Sequence, residues 1–149
     1  VEVPPALNID GVNVLPVLRG DGVDVPSRRF WQWNRYEPVV SSNAAMRDGD
    51  WKLVRPVIKE TMNIDARDRE MDGAQRREPW KPFEPDRSPF PRREVPPPPS
   101  PELYNIAEDP LEQANLAEKH PARVQTMLRE LETWFEGVEA DRATIGGVW

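Results

Sequence analysis

The amino-acid sequence predicts an α+β fold in which short strands precede a long helix. Two observations lead to this prediction: an Asp48-Gly49 turn signal inside alternating apolar sequence, and apolar residues near the C-terminus that recur every three or four positions. A length of 149 residues suits one domain with a core of its own. We therefore interpret residues 1–149 as a single domain.

The first predicted element is a short helix within residues 7–20. Pro16 keeps this helix brief, and Gly20 suits the position just after a helix end. Three apolar residues at three-residue spacing indicate one buried stripe. They are Val12, Leu15 and Leu18.

The first strand is predicted over residues 29–35, RFWQWNR. Trp31 and Trp33 lie on one face of this strand, and Phe30 lies on the other. A strand with aromatic side chains on both faces is expected at the centre of a sheet or under another layer.

A β-hairpin is predicted over residues 43–55, with Asp48 and Gly49 as the two central residues of a type I′ turn. This structural turn sets the expected register. The predicted opposed pairs are Arg47 with Asp50, Met46 with Trp51, Ala45 with Lys52, and Ala44 with Leu53. Because side chains alternate along a strand, one face of the predicted hairpin carries only apolar residues. They are Ala44, Met46, Trp51 and Leu53.

Residues 59–101 are predicted to be an insertion that is densely charged over residues 62–77 and irregular in its proline-rich part, residues 79–101. Ten prolines occur between positions 79 and 101, four of them consecutive from Pro96, which favours polyproline II. We expect this segment to lie extended over a surface, and the alternative is a ligand for a proline-recognising domain. The expected anchors are Trp80, Phe83 and Phe90.

The C-terminal third is predicted to contain a strand at 102–105 and two helices. The first helix is expected over 109–118 with Asp109 as its cap, and the second begins at Pro121. Residues 143–149 are interpreted as a tail. The apolar stripe of the second helix comprises Val124, Met127, Leu128, Leu131, Trp134, Phe135 and Val138.

Charge is distributed unevenly along this chain, whose net charge is −6. Residues 27–59 contain seven Lys or Arg against three acids, whereas residues 100–142 contain four against ten. The acidic half argues against a nucleic-acid partner, which requires a broad basic footprint. The basic half fits either a solvated sheet face or an anionic ligand. No apolar run approaches the ~18 residues of a membrane span, so no membrane partner is expected.

Residues that could carry chemistry are few. The chain has no cysteine, which excludes thiolate metal sites and cysteine nucleophiles within it. The single histidine, His120, precedes a proline at a predicted helix start. The acidic residues of the last helix are spread around the solvent face of that helix, with no pair arranged for acid–base catalysis. We expect no catalytic residue, metal ligand or cofactor in this chain.

Four strings occur in a characteristic order: DGVNVLPVLRG, FWQWNRY, AMRDGDWKLVRP and ELYNIAEDPLEQANLAEKHPARV. Together they resemble the C-terminal subdomain of a type I sulfatase, an arylsulfatase-like member of the alkaline phosphatase superfamily. The resemblance implies a small antiparallel sheet of about four strands with a C-terminal helix packed on one face. It also implies that this piece docks on a larger α/β catalytic domain, which is the main expected partner.

In that family the catalytic domain carries calcium and a formylglycine made from the first residue of a C-x-P-S-R motif. Residues 24–28, DVPSR, match only the last three positions of the motif and follow the DGVNVLPVLRG string. The chain also opens with Val, so we expect a fragment of a longer sulfate-ester hydrolase that is inactive alone. For the parent, the resemblance implies a sulfated small molecule or glycan as substrate, and a periplasmic or secreted location.

Besides packing on the catalytic domain, this piece is expected to line the outer substrate pocket. The predicted rim is Trp33, Asn34, Arg35 and Tyr36, where the first strand ends in polar groups beside an aromatic. The alternative is that these residues only join the two subdomains. An apolar face without its catalytic-domain partner is expected to make the isolated chain self-associate.

Two rival functions remain open from the sequence. One is a non-catalytic carbohydrate- or protein-binding module that uses the Trp31 and Trp33 surface or the proline-rich segment. The other is the same subdomain of a phospho- or phosphonate-ester hydrolase.

Overall fold

A computed structural model describes residues 11–22, 25–82 and 89–144. The α+β prediction is confirmed, because the chain forms a four-stranded antiparallel sheet of order β1-β2-β3-β4 and a long C-terminal helix. The elements in chain order are α1 (Leu15–Leu18), β1 (Arg29–Gln32), β2 (Ala44–Asp48), β3 (Trp51–Arg55), a 3₁₀ turn (Lys59–Thr61), α2 (Ala66–Arg77), β4 (Glu102–Asn105) and α3 (Pro121–Thr144).

The core lies between α3 and one face of the sheet, which we call the inner face. Met46, Leu53 and Leu103 lie side by side on β2, β3 and β4 and are 0% exposed. Leu131 of α3 packs on them and is also 0% exposed. Each side chain of this size contributes ~1.5–3 kcal/mol when fully buried, before conformational entropy is subtracted.

Helix α3 uses the first part of its predicted stripe to contact the sheet. Val124 and Met127 are buried with Leu131, and Trp134 stacks on Phe30 of β1 with ring centroids 5.3 Å apart. Further along the helix, Val138 is 40% exposed, so the stripe continues past the sheet without being covered. The predicted tail begins inside the helix, and residues 145–149 lie outside the described residues.

The hairpin is present, but its predicted register was wrong. The turn residues are Gly49 and Asp50, so Met46 lies opposite Leu53 and not opposite Trp51. Gly49 has a φ of +58° and Asp50 does not have a positive φ, which is the sign pattern of a type II′ turn. Each β2 residue lies opposite a β3 residue two positions later than predicted. A shift of two positions keeps side chains on the same face, so the predicted apolar residues still share the inner face.

Strand β1 lies at an edge of the sheet, and the prediction of a central or covered strand was wrong. Within the described part of the chain it pairs only with β2, and it ends at Gln32. Its aromatic residues have separate roles, because Phe30 packs on α3 while Trp31 is 48% exposed on the opposite face.

The helix predicted over 109–118 is absent, and a loop of turns takes its place. Glu112 has a φ of +55°, which a right-handed helix does not allow. Asp109 accepts a hydrogen bond from the Ala114 N–H (2.8 Å) across this loop. The Leu116 N–H donates to the Leu103 carbonyl (2.7 Å) and ties the loop to β4.

The N-terminal helix is shorter than expected and lies on the surface. Gly20 follows α1 with a φ of +80°, as predicted for the residue after a helix end. The predicted burial of its stripe was wrong, because Leu18 is 78% exposed and both Val12 and Leu15 are 47% exposed.

The charged part of the 59–101 insertion contains a helix that the sequence did not predict. Helix α2 begins after Asp65, whose side chain accepts a hydrogen bond from the Asp68 N–H (2.8 Å). Among the expected anchors, Phe90 contacts Tyr36 at 5.6 Å between ring centroids, whereas Trp80 is 75% exposed. Phe83 lies outside the described residues.

Candidate functional site

The predicted rim follows β1, and its amide residue is fully engaged inside the fold. The Asn34 Oδ1 accepts hydrogen bonds from Gln32 Nε2 and the Val39 N–H, both 2.9 Å. Its Nδ2 donates to Thr61 Oγ1 (3.0 Å). Asn34 therefore fixes the path of the chain after β1 and has little capacity left for a ligand.

Beneath Asn34 lies a buried polar cluster that the sequence did not indicate. Ser42 and Thr61 are both 0% exposed, and their hydroxyl oxygens are 2.9 Å apart. Ser42 Oγ accepts a hydrogen bond from the Ile58 N–H (2.8 Å), and Thr61 Oγ1 donates to the Ile58 carbonyl (2.7 Å). Because these buried groups form hydrogen bonds with one another, the cluster stabilises the fold and does not present a reactive group.

Tyr36 joins three segments of the chain. Its hydroxyl accepts a hydrogen bond from the Asp65 N–H (2.8 Å), its ring contacts Phe90, and the Arg93 guanidinium lies 5.9 Å from the ring centroid. Burial raises the pKa of Tyr36, and a hydrogen bond with Asp68 raises it further. Tyr36 thus holds the insertion against the loop that follows β1.

The other two rim residues, Trp33 and Arg35, contact each other. Trp33 is 57% exposed, and the Arg35 guanidinium lies 5.6 Å from its ring centroid in a cation–π contact. Trp33 is open to solvent and Arg35 is half-buried beside it, while Asn34 and Tyr36 support the loop that carries them. The predicted pocket rim stays a prediction.

A second surface lies on the sheet face opposite α3, which we call the outer face. Trp31, Ala45, Arg47 and Lys52 line an open groove of about 460 Å³ there, together with the loop after β4. Glu112 of that loop pairs with Lys52, with 2.6 Å between Oε1 and Nζ. An adjoining groove of about 650 Å³ extends from Trp31 to Trp33, so the two surfaces are continuous.

Tyr104 is the buried residue of the outer face, at 8% exposed. Its hydroxyl donates to Glu102 Oε2 (2.8 Å). Burial, followed by this hydrogen bond, raises the pKa of Tyr104 to about 12. The phenol is therefore a neutral structural donor and not a general base near neutral pH.

His120 has a packing role at the start of α3. Its ring meets Trp51 edge-on with 5.0 Å between centroids, and the Arg123 guanidinium lies 4.5 Å from the Trp51 ring centroid. Over residues 11–22, 25–82 and 89–144, no group of three or more His, Cys, Asp or Glu could hold a metal ion. In the same ranges, no helix has the length and apolar character needed to cross a bilayer.

Among the comparisons with known proteins, only the solved structures provide matches to this chain. No protein-family model matches the chain, and no curated protein matches it. A sulfatase from Bacteroides thetaiotaomicron, solved in work on the metabolism of multiple glycosaminoglycans, is 22% identical with a TM-score of 0.46. The match covers 93% of this chain and 22% of that protein, so the chain spans about a fifth of its length. This similarity does not by itself assign a family or an activity.

Proposed function

We propose that this chain is the C-terminal subdomain of a type I sulfatase, an enzyme that hydrolyses sulfate esters. The supporting observation is that three of the four family-like strings occupy successive elements of one sheet-and-helix unit. FWQWNRY contains most of β1, AMRDGDWKLVRP contains all but the first residue of the β2–β3 hairpin, and the last string contains β4 and the first turn of α3. The resulting sheet with a helix on one face is the arrangement that the resemblance implies.

In this proposal the chain contributes structure and substrate contacts to the whole enzyme. Trp33 and Arg35 line the outer substrate pocket, because the exposed Trp33 ring and the half-buried Arg35 guanidinium lie together on one loop. Asn34 and Tyr36 hold that loop in place through their internal hydrogen bonds. Calcium and formylglycine belong to the proposed catalytic domain, and no step of hydrolysis is assigned to a residue of this chain.

Activity measurements on two proteins test the proposal. The pure 149-residue chain is expected to show no turnover of nitrocatechol sulfate, with or without calcium, because it has no cysteine and no usable nucleophile motif. The full-length gene product is expected to hydrolyse the same ester, and Cys→Ala in its C-x-P-S-R motif is the matched inactive control. Turnover by the chain alone would contradict the proposal.

A phosphate ester measured in parallel separates the nearest alternative. If the full-length protein prefers nitrophenyl phosphate and has a Thr or unmodified Ser nucleophile, the chain is the subdomain of a phospho- or phosphonate-ester hydrolase. A gene product without any catalytic domain would instead favour the non-catalytic binding module.

A further inference from the structure

The outer face of the sheet carries a row of cations that the proposed function does not use. Arg29 of β1 lies opposite Arg47 of β2, which lies opposite Lys52 of β3. Neighbouring strands are separated by about 4.8 Å, so three positive side chains stand next to one another. This row lies in a chain whose net charge is −6.

Like charges placed opposite each other in a sheet are destabilising unless an anion neutralises them. Lys52 has Glu112 as its partner, but the ion pairs among the described residues include neither Arg29 nor Arg47. The Arg47 Nε–H donates to the Gly49 carbonyl (2.9 Å), and no other hydrogen bond to its guanidinium occurs in the described part of the chain. Arg47 is thus held in place with its Nη groups open to an anion.

An exposed aromatic ring lies beside the cations. Trp31 is on β1 and faces outward, with Ala45 directly opposite it on β2. Because Ala45 is small, a groove remains between the Trp31 indole and the loop after β4, with Arg47 and Lys52 along it. Its volume of about 460 Å³ lies in the usual range for small-molecule sites.

These side chains match the groups of an acidic sugar. The indole face offers an apolar surface on which the C–H face of a pyranose ring can lie. The guanidinium of Arg47 and the ammonium of Lys52 can bind a sulfate or carboxylate through charge-assisted hydrogen bonds. The Glu112 carboxylate beside Lys52 can accept hydrogen bonds from sugar hydroxyl groups.

Other occupants fit this surface less well. A second copy related by two-fold symmetry would bring two cation rows against each other, since an isologous contact uses the same patch on both copies. Nucleic acid requires a basic footprint broader than this row, and residues 100–142 are strongly acidic.

We propose that the outer face binds an acidic oligosaccharide, with one sugar ring on Trp31 and its sulfate or carboxylate group between Arg47 and Lys52. This site adjoins the Trp33–Arg35 rim but is formed by other side chains, and it does not depend on the proposed hydrolysis. It is carried by the chain itself, and it would remain if the chain were not part of a sulfatase.

Isothermal titration of the 149-residue chain tests the site with three probes. They are a heparin-derived hexasaccharide, its desulfated counterpart that retains the carboxylates, and neutral cellohexaose. The heparin hexasaccharide is expected to bind, with an affinity that falls as salt is added. Loss of binding on desulfation identifies sulfate as the recognised group, and retained binding identifies the carboxylate. Cellohexaose is expected not to bind.

Matched variants separate the groove from diffuse electrostatic attraction. Trp31→Ala and Arg47→Gln are each expected to weaken binding by about tenfold or more, and Trp31→Phe is expected to keep most of it. Trp80→Ala and Arg76→Gln are the controls, because both side chains are exposed on the insertion. They are expected to change affinity by less than about twofold.

Three results would overturn the proposal: no binding of the heparin hexasaccharide, equal binding of cellohexaose, or equal losses in Arg76→Gln and Arg47→Gln. Thermal melts of every variant show whether it is folded. The measurement is binding to the chain alone, so absence of oligosaccharide binding would not contradict the sulfatase proposal. Likewise, absence of sulfatase activity in the full-length protein would not contradict the oligosaccharide site.

Discussion

The two faces of the sheet differ in what covers them, although the same strands form both. On the inner face, Met46 and Leu53 are completely buried under α3. On the outer face, Trp31 is about half exposed and Arg47 is exposed. Alternation along a strand therefore gives adjacent residues opposite roles, so one face holds the fold together while the other is available for contacts.

The largest expected effect comes from the inner face. Leu131→Ala should lower the free energy of unfolding by about 2–5 kcal/mol, because truncation of a fully buried leucine removes packing and leaves a cavity. Urea denaturation measures this loss. Leu18→Ala is the matched control, since Leu18 is largely exposed and its truncation should change stability by less than about 0.5 kcal/mol. Equal midpoints for Leu131→Ala and the wild type would mean that α3 does not cover the sheet.

Tyr104 is the buried residue of the outer face, and the pH dependence of stability tests its burial. Its folded pKa of about 12 exceeds its ordinary value of 10.0, so burial favours the neutral phenol. The stability from this group is fully present below about pH 10 and is lost as pH rises through about pH 12.

Urea midpoints between about pH 9 and pH 12 should therefore fall more steeply in the wild type than in Tyr104→Phe. Over this pH interval, the wild type is expected to lose about 2 kcal/mol more of its free energy of unfolding than Tyr104→Phe does. Parallel curves for the two proteins would show that the phenol titrates as it does in the unfolded chain.

Gly49 lies at the turn that places residues on one face or the other. Gly49→Val should cost about 1–2 kcal/mol, because a β-branched residue is strained at a φ of +58°. A Cβ at this position would meet no atom within 4 Å, so the cost comes from backbone conformation and not from a clash. Gly49→Asn is the control and should cost less, since Asn tolerates positive φ. An unchanged melt for the valine variant would exclude the positive-φ turn.

The smallest expected effect comes from the outer face itself. Trp31→Ala should change the free energy of unfolding by less than about 0.5 kcal/mol, because the indole is about half exposed and lies away from α3. Phe30→Ala, at the preceding position of β1 on the inner face, should cost clearly more, since the Phe30 ring stacks on Trp134. A loss above about 1 kcal/mol in Trp31→Ala would mean that the outer face belongs to the core.

Part of the candidate site could be predicted from the sequence and part could not. Trp33 is exposed after β1 and the Arg35 guanidinium lies over its ring, which suits a rim, but the internal hydrogen bonding of Asn34 was not predictable. The hydrogen-bond partners of Asn34 include Thr61, which is 27 residues away and carries no local signal. The cation row on the outer face likewise exists only once three separate strands are aligned.

The sequence by itself determined the elements that depend on local chemistry. Turn residues placed the hairpin, the ELYN strand was confirmed as β4, and three- to four-residue periodicity placed α3 from Pro121. These signals lie within a few residues of the structure that they specify, which is why the α+β class followed from them.

Only the tertiary structure decided the features that depend on distant residues. The hairpin register depends on which two residues occupy the turn, and Asp48-Gly49 and Gly49-Asp50 both contain glycine. The edge position of β1 depends on no fifth strand pairing beside it among the described residues. The loop that replaced the predicted 109–118 helix is held by Leu103 and Lys52, contacts that outweigh a good local helix start. Local sequence determines which element a segment favours, and packing against the sheet determines whether that element forms and which residues it pairs with.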